Sequence, residues 1–154
     1  RFRMLSGAEH ETALPEAKVA LYELGRVFPH ALRLDDLAER VSEHLGATVT
    51  VAELARILLD AETGAFVRVF SAPPPSVRAP SDKPEATSVA RAGAERGGVV
   101  TNLYGDPVRL ENAFQRRLLA LLDGTRDRSA LSRELGSDVD GELQKLARFA
   151  LLIR

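Results

Sequence analysis

Apolar residues recur at intervals of three and four along most of this chain, the spacing that turns one face of a helix toward a core. Arg1–Leu14 is weakly patterned, and Phe2, Met4 and Leu5 offer at most a short strand. Pro15 then stands where a helix favours its first residue. Ala17, Ala20, Leu21, Leu24, Val27 and Phe28 form an inward stripe, and Pro29 stops it. A second helix is expected from Asp35, with Leu37, Val41 and Leu45 inside and Gly46 at its end. Thr50 and Glu53 have the capping-box spacing for a third, with Val51, Leu54, Ile57, Leu58 and Ala61 facing inward. Phe66–Phe70 alternates as a strand, and Leu32–Leu34 offers a second short one. Three helices and a strand predict a winged helix whose second and third helices form a helix-turn-helix.

The periodicity breaks at Ala72–Pro84, which holds Pro73, Pro74, Pro75, Pro80 and Pro84. Fixed φ and missing N–H groups exclude helix and central strand, so this stretch is a stiff connector or surface strap. Beyond it, Glu85–Arg96 is expected to be a short helix stopped by Gly97-Gly98. Val99–Leu103 and Pro107–Leu110 predict a hairpin around Tyr104-Gly105-Asp106. Asn112 caps a helix carrying Phe114, Leu118, Leu121 and Leu122, with Gly124 suited to the left-handed position after it. Asp127 caps Arg128–Leu135, and Gly136 closes that helix. Ser137 and Asp140 resemble a capping box for a last helix, with Val139, Leu143, Leu146, Ala147 and Ala150 inside. Leu151-Leu152-Ile153 reads as a strand. The second half echoes the first: LDDLAERVSEHLG is answered by DRSALSRELG, and ELARILLDAETGAFVRV by ELQKLARFALLIR.

The expected fold class is mainly α (α+β), as two tandem winged-helix-like lobes. Residues 1–14 would be a tail or linker, 15–71 the first lobe, 72–98 the Pro-rich connector with its short helix, and 99–154 the second lobe. Lobes this small bury little surface each, which favours packing of their apolar faces on one another.

Composition narrows the chemistry. Net charge is −1, from 21 basic and 22 acidic residues, with no global pull toward nucleic acid or anionic membrane. The absence of Cys removes disulfides, zinc thiolates and thiol catalysis and suits a reducing cytoplasm. No apolar run is long enough to span a bilayer. The first residue is Arg1, so the chain reads as a piece of a longer protein, and its Ala- and Arg-rich usage suggests a bacterial gene. His10, His30 and His44 lack ligand spacing, and no metal site is expected. Nucleophile elbow, phosphate loop and dinucleotide fingerprint are all absent. The acid pairs Asp35-Asp36 and Asp138/Asp140 sit at helix starts, where capping explains them. A DNA-reading third helix needs Arg, Lys, Asn or Gln outside. The first lobe offers Glu53, Arg56, Asp60 and Glu62, and the second Asp140, Glu142, Gln144, Lys145 and Arg148. Phosphate contacts dominate DNA affinity, and an acidic reading helix repels them, which disfavours DNA.

VTNLYGDPVRLENAFQRRLLALLDGTRDRSAL resembles the C-terminal part of bacterial proteins that pair a SAM-dependent methyltransferase domain with a methyltransferase regulatory domain. That family carries a VTNL strand, a VRLD-like strand and an LLDGTRDR turn in this order, with Glu111 here where Asp is common. LPEAKVALYELGRVFPHALRLDDLAERV and RFRMLSG are similar to the preceding region and to the end of the regulatory domain. The resemblance is weakest at residues 6–14 and 72–96. It implies a non-catalytic accessory region of a methyltransferase related to protein-lysine methyltransferases. The parent's cofactor would be S-adenosylmethionine, with no cofactor, metal or catalytic residue in this chain. Its partners would be the catalytic domain of the same polypeptide and a protein substrate, in the cytoplasm. Contact or corner-holding roles then fall to Asn102, Tyr104, Arg109, Asp123, Arg126 and Asp127. The alternatives are a winged-helix DNA-binding regulator and a winged-helix module that takes peptides on an exposed strand edge.

Overall fold

The computed structural model describes residues 2–3, 9–60 and 67–154. The chain divides into two compact units, Arg1–Pro73 and Pro74–Arg154. Among the described residues the first unit holds β1 (Phe2–Arg3), β2 (Glu9–His10), α1 (Pro15–Val27), α2 (Leu34–Leu45) and α3 (Val51–Leu59). The second holds α4 (Ser88–Arg96), β3 (Val99–Thr101), β4 (Pro107–Arg109), α5 (Ala113–Leu121), α6 (Arg128–Leu135) and α7 (Asp140–Arg148). The helical content with a small hairpin fits the expected α+β winged-helix class.

In the first unit β1 and β2 pair antiparallel, with Phe2 opposite His10; Met4 and Leu5 lie outside the described residues. Three helices pack around Ala20, Leu37, Ala38, Val41, Leu54 and Leu58. Pro15 opens α1. The box on α3 forms as its spacing predicts: Glu53 N donates to Thr50 Oγ1 at 3.2 Å, and Thr50 N to Glu53 Oε2 at 2.9 Å. Between α2 and α3 Gly46 takes φ +63°. Ser42 Oγ braces the turn, accepting from Val49 N at 2.9 Å and donating to Ala38 O at 2.8 Å.

Several expectations for this unit need correction. α2 begins at Leu34, one residue early, so Leu32–Leu34 is no strand. Val67–Phe70 is not a strand, and Phe66 lies outside the described residues, as does Ala61. Val51 does not face the core but is 45% exposed.

One buried charge escaped the apolar pattern. Glu23 lies three residues after Ala20 on the inner face of α1 and is 1% exposed. It accepts from Arg26 Nη1 and Arg40 Nη1, each at 3.2 Å, with His44 Nδ1 at 3.9 Å. Burial opposes its ionisation, but the hydrogen bonds from Arg40 and Arg26 outweigh that and hold its pKa below the usual range. Two helices are thus joined by a charge that must stay paired.

The second unit is organised around Leu118, Leu119, Leu122, Leu131, Leu143, Leu146, Leu151 and Leu152, all fully buried. β3 and β4 pair antiparallel with Val100 opposite Val108, and these two face the core. α4 packs on β3 through Gly93, where an added Cβ would meet Val100 Cγ1 at 3.2 Å. Glu85 and Ala86 are not helical as expected. They bridge Asp123 and Leu152, with Ala86 N donating to Leu122 O at 2.9 Å and Ile153 N to Glu85 O at 2.8 Å. Leu152 is therefore paired through this bridge rather than in a named strand. α7 starts from Val139 without a side-chain cap, so the Ser137–Asp140 box does not form.

The helix-turn-helix recurs in both units. Gly46 (φ +63°, ψ +26°) and Gly136 (φ +69°, ψ +22°) close α2 and α6 in the same left-handed conformation. Ala47 N bonds Ser42 O as Ser137 N bonds Ser132 O. The runs Val41-Ser42-Glu43-His44-Leu45-Gly46 and Leu131-Ser132-Arg133-Glu134-Leu135-Gly136 correspond residue for residue, with Val41 and Leu131 both buried.

Leu143→Ala, which empties a fully buried position, is expected to cost about 2–5 kcal/mol, whereas the same truncation at exposed Leu59 stays within about 0.5 kcal/mol. Urea unfolding followed by circular dichroism measures both.

Candidate interaction surfaces

LLDGTRDR forms the corner between α5 and α6. Asp123 Oδ1 accepts from Thr125 N at 3.0 Å and Thr125 Oγ1 at 2.6 Å, while its Oδ2 accepts from Arg126 Nη1 at 2.7 Å. These bonds, the Thr125 pair first, lower the Asp123 pKa to about 2. Arg126 also donates Nε to Glu134 Oε2 at 3.1 Å and Nη1 to Leu121 O at 3.4 Å. Asp127 Oδ1 caps α6 through Ala130 N at 2.7 Å. Gly124 turns the chain at φ +79°, where a Cβ would come within 2.5 Å of Arg154 Nη2 and 3.0 Å of Glu85 Oε2. Those two side chains form an ion pair of 2.9 Å directly over it.

Sequence reasoning missed the last residue of this run. Arg128 Nε donates to Ser81 O at 3.0 Å, its Nη2 to Pro80 O, its backbone N to Asp82 O at 3.1 Å, and Nη1 pairs with Asp140 at 3.3 Å. It therefore fastens part of the Pro-rich stretch, where Pro80 and Pro84 are buried, onto the second unit. An arginine is suited to this because its five N–H donors can serve several carbonyls at once. The visible signal was a cation beside a capping aspartate that already had its own task.

The other expected site residues divide. Asn102 is 7% exposed, and its Oδ1 accepts from Tyr104 N and Asp106 N, both at 2.9 Å, closing the β3–β4 loop. Tyr104 OH lies 3.4 Å from Ser76 Oγ on the Pro-rich stretch. Arg109 stands exposed on β4, opposite Val99. The structure brings Asp123, Arg126 and Asp127 together at the corner and Asn102 with Tyr104 in the loop. Five of these six side chains are engaged within the unit, and Arg109 projects to solvent.

A further candidate surface lies in the first unit. A groove of about 680 Å³ is lined by Leu32, Leu34, Val51, Leu58, Leu59, Val67, Val69 and Phe70, with Arg33, Asp35 and Arg68 at its polar positions. Leu34 is 37% exposed, Val51 45%, Leu59 69% and Val69 76%. Arg33 and Asp35 pair at 2.9 Å, leaving little net charge there. The signal in sequence was α3, whose apolar residues Val51, Leu54, Ile57, Leu58 and Leu59 occupy more than one helix face.

The second unit, a helix, a hairpin and three helices with a glycine-closed helix-turn-helix, is a winged helix, and the first unit shares the helix-turn-helix. Residues 82–149 match the family model described as "PKMT, C-terminal winged helix domain". The VTNL, VRLE and LLDGTRDR runs all lie within the matched residues, so over residues 82–149 the chain is similar to that winged-helix domain. Among solved structures, PKMT2 from Rickettsia typhi is similar in fold, with TM-score 0.63 and 18% identity over 90% of this chain. The same protein in complex with AdoHcy gives TM-score 0.63 and 16% identity over 93%. This chain spans 34% and 35% of those two chains, about a third of their length. No curated protein matches by sequence.

Two outcomes are expected at the corner. Gly124→Ala should cost more than Gly136→Ala. Both positions carry about 1 kcal/mol or more of left-handed strain, but only Gly124 has side chains over it. Paired thermal melts decide this. The Asp123 carboxylate stabilises the fold fully above its ordinary pKa of 3.8, and that contribution is lost as pH falls through about 2. The stability gap between the native chain and Asp123→Asn should therefore shrink between pH 4 and pH 2, as denaturant titrations across that window would show.

Proposed function

We propose that this chain is the non-catalytic accessory region of a SAM-dependent methyltransferase, acting through contacts with the catalytic domain of the same polypeptide or with its protein substrate. The observation that carries this reading is the apolar groove of the first unit. An exposed cluster of large aliphatic side chains beside the Arg33–Asp35 pair favours another protein surface. The family match supplies the class, and the AdoHcy complex of the Rickettsia typhi protein supports S-adenosylmethionine as the parent's methyl donor. No residue of this chain is assigned to that cofactor or to catalysis. Among the described residues no helix is long and apolar enough to cross a membrane. The absence of Cys supports a cytoplasmic parent. The domain limits follow the two units, with the Pro-rich stretch fastened to the second. The DNA reading is disfavoured by α3, whose exposed charges are Glu53 and Arg56, with exposed Asp60 directly after it. The corner residues hold the fold, and Arg109 is the predicted residue best placed for contact.

In the full-length enzyme, Leu59→Asp with Val69→Asp should lower kcat/KM for the protein substrate about tenfold or more, with the unfolding temperature nearly unchanged. Unaltered kinetics in this variant would remove the groove reading. Arg126→Ala should do the reverse, lowering the unfolding temperature while turnover per folded molecule holds.

A further inference from the structure

Among the described residues the outer edge of β3 in the second unit is unpaired. Leu110 N donates to Gly98 O at 2.7 Å and Asn102 N to Asp106 O at 3.0 Å, with Val100 opposite Val108 between them. These are the hydrogen-bonded pairs of the ladder, so the N–H and C=O groups of Val99 and Thr101 point away from β4. Neither residue has another hydrogen-bond partner among the described residues. The free edge has a defined end, because Leu103 N is taken by Ala150 O at 2.9 Å. The far edge of β4 is poorer, since Pro107 has no N–H to offer.

The surface beside this edge is apolar at its centre and cationic around it. Val99, 52% exposed, and Thr101 share the outer face of the hairpin with Pro107 and Arg109. Arg109 stands opposite Val99. Arg116 Nη1 lies 3.6 Å from the Cβ position of Gly98, the residue before β3, and exposed Arg96 ends α4 two residues earlier. Glu95 adjoins Arg96 on α4. Glu111, beyond β4, lies within electrostatic reach of Lys145.

We propose that the outer edge of β3 is a docking site for an extended acidic segment of a partner protein. The segment adds as a third strand on the Val99 and Thr101 backbone groups and turns carboxylates toward Arg96, Arg109 and Arg116. Alternating N–H and C=O groups match a polypeptide backbone. Nucleic acid has no such backbone, which decides between the two anionic partners. The site is separate from the groove of the first unit, and either can fail alone.

The test uses the 154-residue chain with the acetylated, amidated peptide EVTVE. Controls are KVTVK and an EVTVE analogue N-methylated at the residues that face β3. Amide hydrogen exchange at Val99 and Thr101, read by NMR, should slow about tenfold with millimolar EVTVE and stay unchanged with either control. Arg109→Glu should transfer the protection from EVTVE to KVTVK, which a merely structural arginine would not do. No slowing with EVTVE, equal slowing with KVTVK, or displacement of EVTVE by a short oligonucleotide would overturn the proposal. Protection that rises with protein concentration in the absence of peptide would also overturn it, by showing a second copy on the edge.

Discussion

The reversal of the chain at Gly124 is the constraint on which the second unit depends. A left-handed φ there lets α5 end and α6 begin within a few residues, and the Arg154–Glu85 pair closes directly over the missing Cβ. Everything attached to the corner inherits its position. Leu122, fully buried, takes the Ala86 amide; Asp123 bridges Glu85; Arg128 takes the carbonyls of Pro80 and Ser81. A segment distant in sequence, residues 80–86, is thereby held as part of the unit's wall.

That economy separates structural from available polar groups. Asp123, Arg126 and Asp127 are conspicuous as charges, yet each is engaged at the corner, and the Asp123 pKa is depressed by the Thr125 and Arg126 hydrogen bonds. The exposed surfaces are of another kind: an apolar groove around α3 and a short strand edge with Arg96, Arg109 and Arg116 near it.

Much of the fold was legible from residues whose effect is local. Pro15, Thr50 with Glu53, Asn112, Asp127, Gly46, Gly124 and Gly136 act on a backbone within four residues, so their caps and turns appear where the pattern places them. Failures came where local signals were weak or where distant partners competed. Ser137 and Asp140 have the box spacing, yet α7 begins after Val139, which is fully buried. Glu85 and Ala86 have helical propensity, yet Leu122 and the 152–154 segment offer them backbone pairing on two sides.

The sequence by itself determined the helices, the hairpin, the repeated helix-turn-helix and the likeness to a methyltransferase's C-terminal region, since all of these reside in short runs and their order. Only the tertiary structure decided which side chains remain free. Burial of Glu23 among Arg26, Arg40 and His44, the fastening of residues 80–82 by Arg128, and the exposure of Leu59 and Val69 each depend on residues brought together from different elements. Periodicity along one helix says which face is apolar, but not whether another element arrives to cover it.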